Sequence, residues 1–205
     1  MIGVIDYGLG NVGAFLNIFK DSNLEARPIR TPEDLTGISK FVLPGVGAFD
    51  WAMNRLNQSG LRASLDSAVL NDGVQALGVC VGMQMMGESS EEGSLPGLGW
   101  INGHVRRFRP DATRANSLPL PHMGWNDVSM PGASPLFAGF AESSRFYFLH
   151  SYYFEPQGET ETLALTQYGS RFTSAVCHRS AYGVQFHPEK SHGWGIRLLK
   201  NFAEM

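Results

Sequence analysis

The sequence is poor in cysteine, in basic charge and in long apolar runs, and each shortage excludes a class of protein. Its two cysteines, Cys80 and Cys177, lie far apart, and no charged leader precedes an apolar run at the start, which predicts free thiols and a cytoplasmic location. No segment approaches the ~18 consecutive apolar residues of a membrane helix. Lys and Arg number 16 against 19 Asp and Glu, so the net charge of −3 offers no basic field for nucleic acid.

Metal-binding patterns are missing as well. The chain has six histidines but no HExxH or CxxC, and the closest late pair, His187 and His192, is five residues apart across a proline. We therefore expect neither a metal ion nor another cofactor.

What the sequence does have is an alternation of short apolar runs with amphipathic stretches, which predicts a mostly parallel sheet flanked by helices. The whole chain, 1–205, is interpreted as one domain. Beyond residue 93, glycine, proline and aromatic residues predict an antiparallel extension of the sheet. Strands are predicted at residues 1–6, 26–30, 40–43, 75–79, 100–108 and 145–149, helices at 11–22, 49–58, 61–71 and 192–203, a helical turn at 31–32 and a loop at 110–121. Pro44 is expected to end the third strand.

Glycines after the first strand raise the possibility of nucleotide binding. Gly8, Gly10 and Gly13 have the GxGxxG spacing of a dinucleotide-binding loop. Such a site also needs an acidic residue at the end of the second strand, where this chain has Arg-Pro-Ile-Arg at 27–30. The motif therefore favours nucleotide binding only weakly.

Cys80 lies in the stretch GVCVGMQ, residues 78–84, between a predicted strand and a predicted helix. This resembles a nucleophile elbow, in which a sharp turn projects the reactive side chain and needs small neighbours such as Gly78 and Gly82. The backbone N–H groups of the following helix favour a thiolate there. The alternative is a buried structural cysteine.

The stretch YGVQFHPEKS offers a base for such a thiol. If residues 183–187 form a strand, His187 and Glu189 point the same way, and the carboxylate can orient the imidazole. The alternative for His187 is a structural histidine.

Acyl transfer also needs donors for the developing oxyanion. Gly45, Val46 and Gly47 follow the third predicted strand, and the N–H of Val81 directly follows the candidate nucleophile. These four residues are the predicted oxyanion hole. The alternative for residues 44–47 is a plain strand-ending turn.

Taken together, these motifs resemble one family from end to end. PGVG, GVCVGMQ, SEEG (90–93), PHMGWN (121–126), FYFLHSYYF (146–154) and FHPEKS (186–191) resemble class I, triad-type glutamine amidotransferases. Among these, the resemblance is to the HisH glutaminase subunits of imidazole glycerol phosphate synthase. The resemblance implies a flavodoxin-like α/β fold with an antiparallel extension.

The resemblance also implies a reaction and its site. Cys80, with His187 and Glu189, would hydrolyse L-glutamine to glutamate and ammonia through a glutamyl thioester. The residues expected to hold the glutamine are Gln84, Glu92, Ser151 and Tyr152, with Glu92 at the ammonium group and the backbone at 151–152 at the carboxylate.

A partner subunit follows from the same resemblance. A HisF-type (β/α)₈ cyclase would form a heterodimer with this chain and take the ammonia through a sheltered passage, because ammonia released into water would be protonated. The residues that match partner-facing positions are Asn11, Trp125, Tyr147 and Lys190. The alternative is that Trp125 and Tyr147 are core aromatic residues and that Lys190 is a solvated surface charge.

Other functions stay open at this point. The segments GLGWINGHVRRF and EKSHGWGIRLLKNF also resemble HisH paralogues that supply ammonia for amidination of a surface-polysaccharide sugar. Further alternatives are a nucleotide-binding regulator and a non-catalytic interaction protein. The chain departs from the family at Gly87, which interrupts the helix predicted after Cys80, and at residues 117–121, where SLPLP stands in place of a lysine-containing segment.

Overall fold

Twelve strands and five helices form the described part of the chain in a computed structural model, which covers residues 1–109, 119–141, 144–158 and 160–205. The strands are β1 (Ile2–Ile5), β2 (Ala26–Ile29), β3 (Lys40–Gly45), β4 (Gln75–Cys80), β5 (Ser89–Ser90), β6 (Gly103–Arg107), β7 (His122–Val128), β8 (Ser144–His150), β9 (Tyr152–Pro156), β10 (Glu161–Tyr168), β11 (Ser170–His178) and β12 (Ala181–Val184). The helices are α1 (Val12–Asp21), α2 (Phe49–Gln58), α3 (Arg62–Leu70), α4 (Val81–Met85) and α5 (His192–Glu204). None of these helices has the length and apolar character needed to cross a membrane.

The central sheet has a parallel half and an antiparallel half. Strands β2, β1, β3, β4 and β12 lie side by side in that order and run parallel, the order of a flavodoxin-like sheet. Strands β11, β9 and β6 continue it antiparallel, while β10 pairs with β11 and β5 runs parallel to β6. The predicted fold class is therefore confirmed.

Helices cover the sheet through apolar faces, as the periodicity predicts. Phe15 and Phe19 of α1 are buried, and the side chain of Asn11 caps this helix by accepting the N–H of Ala14 at 3.1 Å. In α5, Leu198, Leu199 and Phe202 are buried, whereas Trp194 is half-buried.

The third strand does not end where the sequence analysis places its end. Strand β3 continues through Pro44 to Gly45, pairing with β4 over its full length. Its pairing with β1 stops at Val42, so the missing N–H of Pro44 leaves no unmet hydrogen bond on that side. The extra two residues bring Gly45 into register with Cys80.

Two further expectations about local structure are wrong. The strand predicted at 183–187 ends at Val184, and His187 instead precedes a short 3₁₀ turn, Pro188–Lys190. The helix after Cys80 ends at Met85, so Gly87 does not interrupt it. A side chain at Gly87 would meet the ring of Phe154 at 2.6 Å, which explains glycine there by close packing.

The later strands are partly as predicted. The strand expected at 145–149 is β8, one residue longer at each end, whereas the one expected at 100–108 is limited to β6. The predicted loop at 110–121 lies outside the described residues as far as residue 118.

Strands β7 and β8 form a separate two-stranded ribbon with two different faces. Alternate residues of this ribbon are buried, among them His122 and His150, which face each other across the strands. The intervening residues point outward, and three apolar ones are exposed there: Met123, Trp125 and Leu149.

Candidate functional site

Cys80 occupies a sharp turn between β4 and α4, at the carboxyl edge of the parallel half of the sheet. Its backbone has φ +55° and ψ −113°, a conformation that costs a non-glycine residue about 1–3 kcal/mol. Glycines make the turn possible: a side chain at Gly78 would meet the backbone of Met83 at 2.7 Å, and one at Gly82 would collide with the carbonyl of Leu43. The expected elbow is therefore present as a geometric feature.

A cavity of about 280 Å³ opens beside this turn. Its volume suits a small polar ligand of amino-acid size. The lining residues are Val46, Gly47, Cys80, Val81, Gln84, Glu92, Pro121, Leu149, His150, Ser151, Tyr152, His187 and Lys190. Of the residues singled out from the sequence, ten line this cavity, whereas Gly45, Glu189, Asn11, Trp125 and Tyr147 lie outside the lining.

His187 and Glu189 form a buried pair behind the cavity wall. Nδ1 of His187 is 2.8 Å from Oε1 of Glu189, and the two side chains are only 4% and 5% exposed. The 3₁₀ turn after His187, rather than strand alternation, brings the carboxylate back to the ring. Burial alone lowers the pKa of His187, but interactions with Cys80 and Glu189 outweigh it and raise the pKa to about 10.

Besides its interaction with His187, the sulfur of Cys80 contacts Leu149 and Gln185. Sγ donates to the carbonyl of Leu149 at 3.8 Å and accepts from Nε2 of Gln185 at 3.7 Å. Gln185 is fully buried, and its Oε1 accepts from Nε2 of Gln84 at 3.0 Å. Gln185 is not among the residues predicted from the sequence, although a polar residue between Val184 and Phe186 in an apolar run indicates a buried polar contact.

The segment predicted to stabilise an oxyanion lies directly opposite the elbow. Gly45 of β3 pairs with Cys80 of the adjacent strand β4, and a side chain at Gly45 would collide with the backbone of Gly82. Gly47 has φ +83°, which glycine adopts without strain. Val46 is 40% exposed, and Val81 begins α4 at the cavity wall.

Gln84 and Glu92 reach the cavity from two sides. The amide nitrogen of Gln84 donates to the carbonyl of Tyr152 at 3.2 Å as well as to Gln185, so its Oε1 is the atom left for a ligand. Glu92 accepts the N–H of Phe49 through Oε2 at 2.9 Å. Burial raises the pKa of Glu92, with the charge of Asp50 adding to this and the N–H of Phe49 opposing it.

Ser151 and Tyr152 also line the cavity. The carbonyl of Ser151 accepts the N–H of Phe108 at 3.1 Å, and the carbonyl of Tyr152 accepts Nδ1–H of the buried His150 at 2.7 Å. Three lining residues, Pro121, Leu149 and His150, are not among the site residues predicted from the sequence.

Three of the four predicted partner-facing residues are neighbours. The rings of Trp125 and Tyr147 meet edge to face at 6.3 Å, and Nζ of Lys190 lies 5.8 Å from the centre of the Tyr147 ring. Asn11 is exposed and caps α1. Within the described ranges, no three histidine, cysteine or carboxylate side chains are grouped as a metal site would require.

Comparison with protein families and known relatives identifies the family of the chain. The class I glutamine amidotransferase family matches residues 4–205. The chain is 53% identical over 205 residues to a Bdellovibrio bacteriovorus protein named imidazole glycerol phosphate synthase subunit HisH, with both chains covered completely. A protein of the same name from Leptospira borgpetersenii is 46% identical over 205 residues, also with complete coverage of both chains.

Solved structures agree at the level of the fold. A Thermoplasma acidophilum protein described as a GMP synthase subunit has a TM-score of 0.74 at 18% identity, covering 99% of this chain and 92% of its own. A crystal structure described as a glutamine amidotransferase has a TM-score of 0.73 at 20% identity, covering 100% of this chain and 99% of its own.

Proposed function

The chain belongs to the class I glutamine amidotransferases, and we propose that it is the glutaminase subunit of an imidazole glycerol phosphate synthase in histidine biosynthesis. It releases ammonia from L-glutamine for a HisF-type cyclase. Identities of 46–53% over the full length to subunits of that name support the assignment. The observation that carries the chemistry is the Cys80 elbow, which lines the same cavity as His187, the histidine that Glu189 holds from behind the cavity wall.

In the first half-reaction, the Cys80 sulfur attacks the side-chain amide carbon of glutamine. His187 takes the thiol proton and passes it to the departing nitrogen, so that ammonia leaves and a glutamyl thioester remains. The raised pKa of His187 suits this step, because the imidazolium must persist until the leaving group takes the proton. Glu189 holds the ring in the orientation in which Nε2 faces the sulfur.

In the second half-reaction, water replaces ammonia. His187 takes a proton from the water as it attacks the thioester carbon, and passes this proton to the sulfur as the C–S bond breaks, which releases glutamate and restores the thiol. In both tetrahedral intermediates the oxygen carries negative charge. The backbone N–H of Val81 and an N–H from residues 45–47 are the donors proposed for it.

The substrate is positioned by charge and by backbone groups. Glu92 lines the cavity, and one of its carboxylate oxygens accepts the N–H of Phe49. In the proposed complex, its other oxygen accepts a hydrogen bond from the ammonium group of glutamine. The backbone at Ser151 and Tyr152 takes the substrate carboxylate, and Oε1 of Gln84 accepts a hydrogen bond from the side-chain amide.

The partner docks over the outer face of the β7–β8 ribbon. This face presents Met123, Trp125 and Leu149, and Leu149 also lines the cavity, so the exposed apolar patch adjoins the site of ammonia release. Tyr147, Lys190 and Asn11 complete the proposed interface. A cyclase seated there shelters the ammonia from water, and one amidotransferase domain, 1–205, is sufficient for this half of the reaction.

The test is glutamate release by the chain together with a HisF-type cyclase, compared with the chain alone. We expect slow release alone, a clear rise with the cyclase, and no release above background for Cys80→Ala in either condition. Cys177→Ala, which removes the other thiol, is the control. Equal activity of Cys80→Ala and wild type would refute the assignment.

A further inference from the structure

A row of hydrogen-bonded side chains runs from the β7–β8 ribbon to the wall of the cavity. Nδ2 of Asn126 lies 3.1 Å from Nε2 of His122, and Nδ1 of His122 lies 3.0 Å from Nε2 of His150. Nδ1 of His150 is 2.7 Å from the carbonyl oxygen of Tyr152. Neither histidine takes part in the proposed reaction, although both are buried.

The direction of hydrogen bonding along this row is fixed at its outer end. Nδ2 of Asn126 donates to the backbone carbonyl of Gln167 at 3.0 Å, and Oδ1 accepts the backbone N–H of Asp127 at 2.8 Å. These two backbone partners determine which way the Asn126 amide points. Nε2 of His122 therefore faces an N–H and must accept.

The same direction is required at the inner end. The Tyr152 carbonyl can only accept, so Nδ1 of His150 carries hydrogen. Nε2 of a neutral His150 then accepts from Nδ1–H of His122, in agreement with the direction set by Asn126. All the hydrogen bonds of the row therefore form only when both imidazole rings are neutral and carry their hydrogen on Nδ1.

The surroundings favour neutral rings. His122 stacks on Tyr168 at 3.9 Å and on Phe148 at 4.7 Å, and Phe172 packs against both histidines. Burial lowers the pKa of His122 to about 4 and that of His150 to about 3. Among the described residues, two titratable groups face the histidine pair: the phenol of Tyr168 and the imidazole of His187. A positive charge on His187 also opposes protonation of His150.

We propose that Asn126, His122 and His150 are positioning residues that hold the backbone at Tyr152 where the carboxylate of glutamine binds. The Tyr152 carbonyl is also where Gln84 donates, and Gln84 donates in turn to Gln185, which contacts the Cys80 sulfur. The row therefore links the ribbon to the substrate wall and the nucleophile. This inference rests on the proposed function, because it assigns a role in glutamine binding.

Substituting Asn126 by aspartate tests the direction of the row without changing its size. The new carboxylate can only accept, so His122 must turn an N–H toward it. A cationic His122 still donates to His150 and leaves the Tyr152 contact intact, whereas a neutral pair must reverse and places a lone pair of His150 against the carbonyl. Loss of the proton as pH rises therefore weakens glutamine binding.

The measurement is KM and kcat for glutamine in the complex with the cyclase, from pH 6 to pH 8.5. We expect the ratio of KM in Asn126→Asp to KM in wild type to rise about fivefold or more across this range, with a smaller change in kcat. In Asn126→Ala, which removes the donor and adds no acceptor, the ratio is raised but does not vary with pH. Asn57→Asp, an exposed substitution, is the control for added charge.

The proposal would be overturned if the KM ratio to wild type had the same pH dependence in Asn126→Asp as in Asn126→Ala. Nitrogen-15 NMR of the imidazole rings of the wild-type chain at pH 7 tests it independently of activity. We expect Nδ1 protonated and Nε2 unprotonated in both His122 and His150, and a protonated Nε2 in either ring would also overturn it. If the wild-type complex released no glutamate, the proposed function would fail while the NMR result still decided the arrangement of the row.

Discussion

His187 and Glu189 are joined by one hydrogen bond of 2.8 Å, while the other carboxylate oxygen of Glu189, Oε2, is buried without a hydrogen-bond partner among the described residues. A buried carboxylate with a single neighbour of opposite charge depends on that neighbour for its solvation. The pair is therefore most stable when the imidazole is protonated, the form that the departing ammonia needs as proton donor.

Replacing Glu189 by glutamine tests this dependence. Glu189→Gln keeps the shape but removes the charge that stabilises the imidazolium, so we expect kcat to fall by about 10²- to 10⁴-fold. KM for glutamine is expected to change little. The measurement is steady-state glutamate release with the cyclase present. Glu25→Gln, at an exposed position, is the matched control, and full activity of Glu189→Gln would remove Glu189 from its role.

Gln185 is expected to act on the reactivity of Cys80. Its amide N–H lies 3.7 Å from the sulfur, so Gln185→Glu replaces a donor by a negative charge that repels a thiolate. We expect alkylation of Cys80 by iodoacetamide at neutral pH to slow by about tenfold, a repulsion of about 1.4 kcal/mol. Gln157→Glu, on the surface, serves as control. An unchanged alkylation rate would mean that Gln185 only fills space.

The glycine after the elbow is expected to be irreplaceable on steric grounds. Gly82→Ala places a methyl group against the backbone carbonyl of Leu43, which cannot move without disturbing β3. We expect the free energy of unfolding to fall by about 1–3 kcal/mol. Gly132→Ala, at a position with open space around it, is expected to leave thermal unfolding unchanged. Equal melting temperatures for the two variants would contradict this account of the turn.

The buried histidine pair is expected to make the protein sensitive to acid. The pKa values of His122 and His150 lie below the ordinary 6.5, so over this pH range the unfolded chain binds protons that the folded chain does not bind. The contribution of the two neutral histidines to the free energy of unfolding is fully present above about pH 6.5. It is lost as the pH falls toward about 4, by up to about 1.4 kcal/mol per pH unit for each histidine. Urea unfolding between pH 4.5 and 7.5 measures the slope. His122→Asn is expected to reduce it, and an equal slope would show that protons bind elsewhere.

The exposed apolar face of the ribbon is expected to be essential for the complex. Met123 is 64% exposed and pairs across the ribbon with Leu149, which lines the cavity. Met123→Asp puts a charge into the proposed interface without disturbing the core. We expect the dissociation constant for the cyclase to rise by about tenfold or more. Leu70→Asp, a comparable change at a 53% exposed residue of α3, is expected to bind normally. Calorimetric titration of each variant with the cyclase distinguishes the two.

The sequence predicts the parallel half of the sheet well, because strands buried on both faces consist of continuous apolar residues such as those of β3. It also finds Cys80, since the glycines that a sharp turn requires lie beside it in the chain. The His187–Glu189 pair is predicted for the wrong reason, as a 3₁₀ turn and not a strand joins the two residues.

Gln185, His122 and His150 are missed because their roles depend on distant partners. Gln185 and Cys80 are separated by 105 residues, and His122 and His150 meet only when β7 pairs with β8. Local patterns identify a buried polar residue as an exception but cannot name the atom that satisfies it.

The backbone of Cys80, with φ +55°, has a consequence for how the protein could be made sturdier. Glycine adopts that geometry freely, so a chain with glycine at this position gains stability in the same step that removes its sulfur. Selection for robustness alone would erase the nucleophile. A cysteine at this strained position therefore indicates a requirement of the reaction that the stability of the fold does not impose.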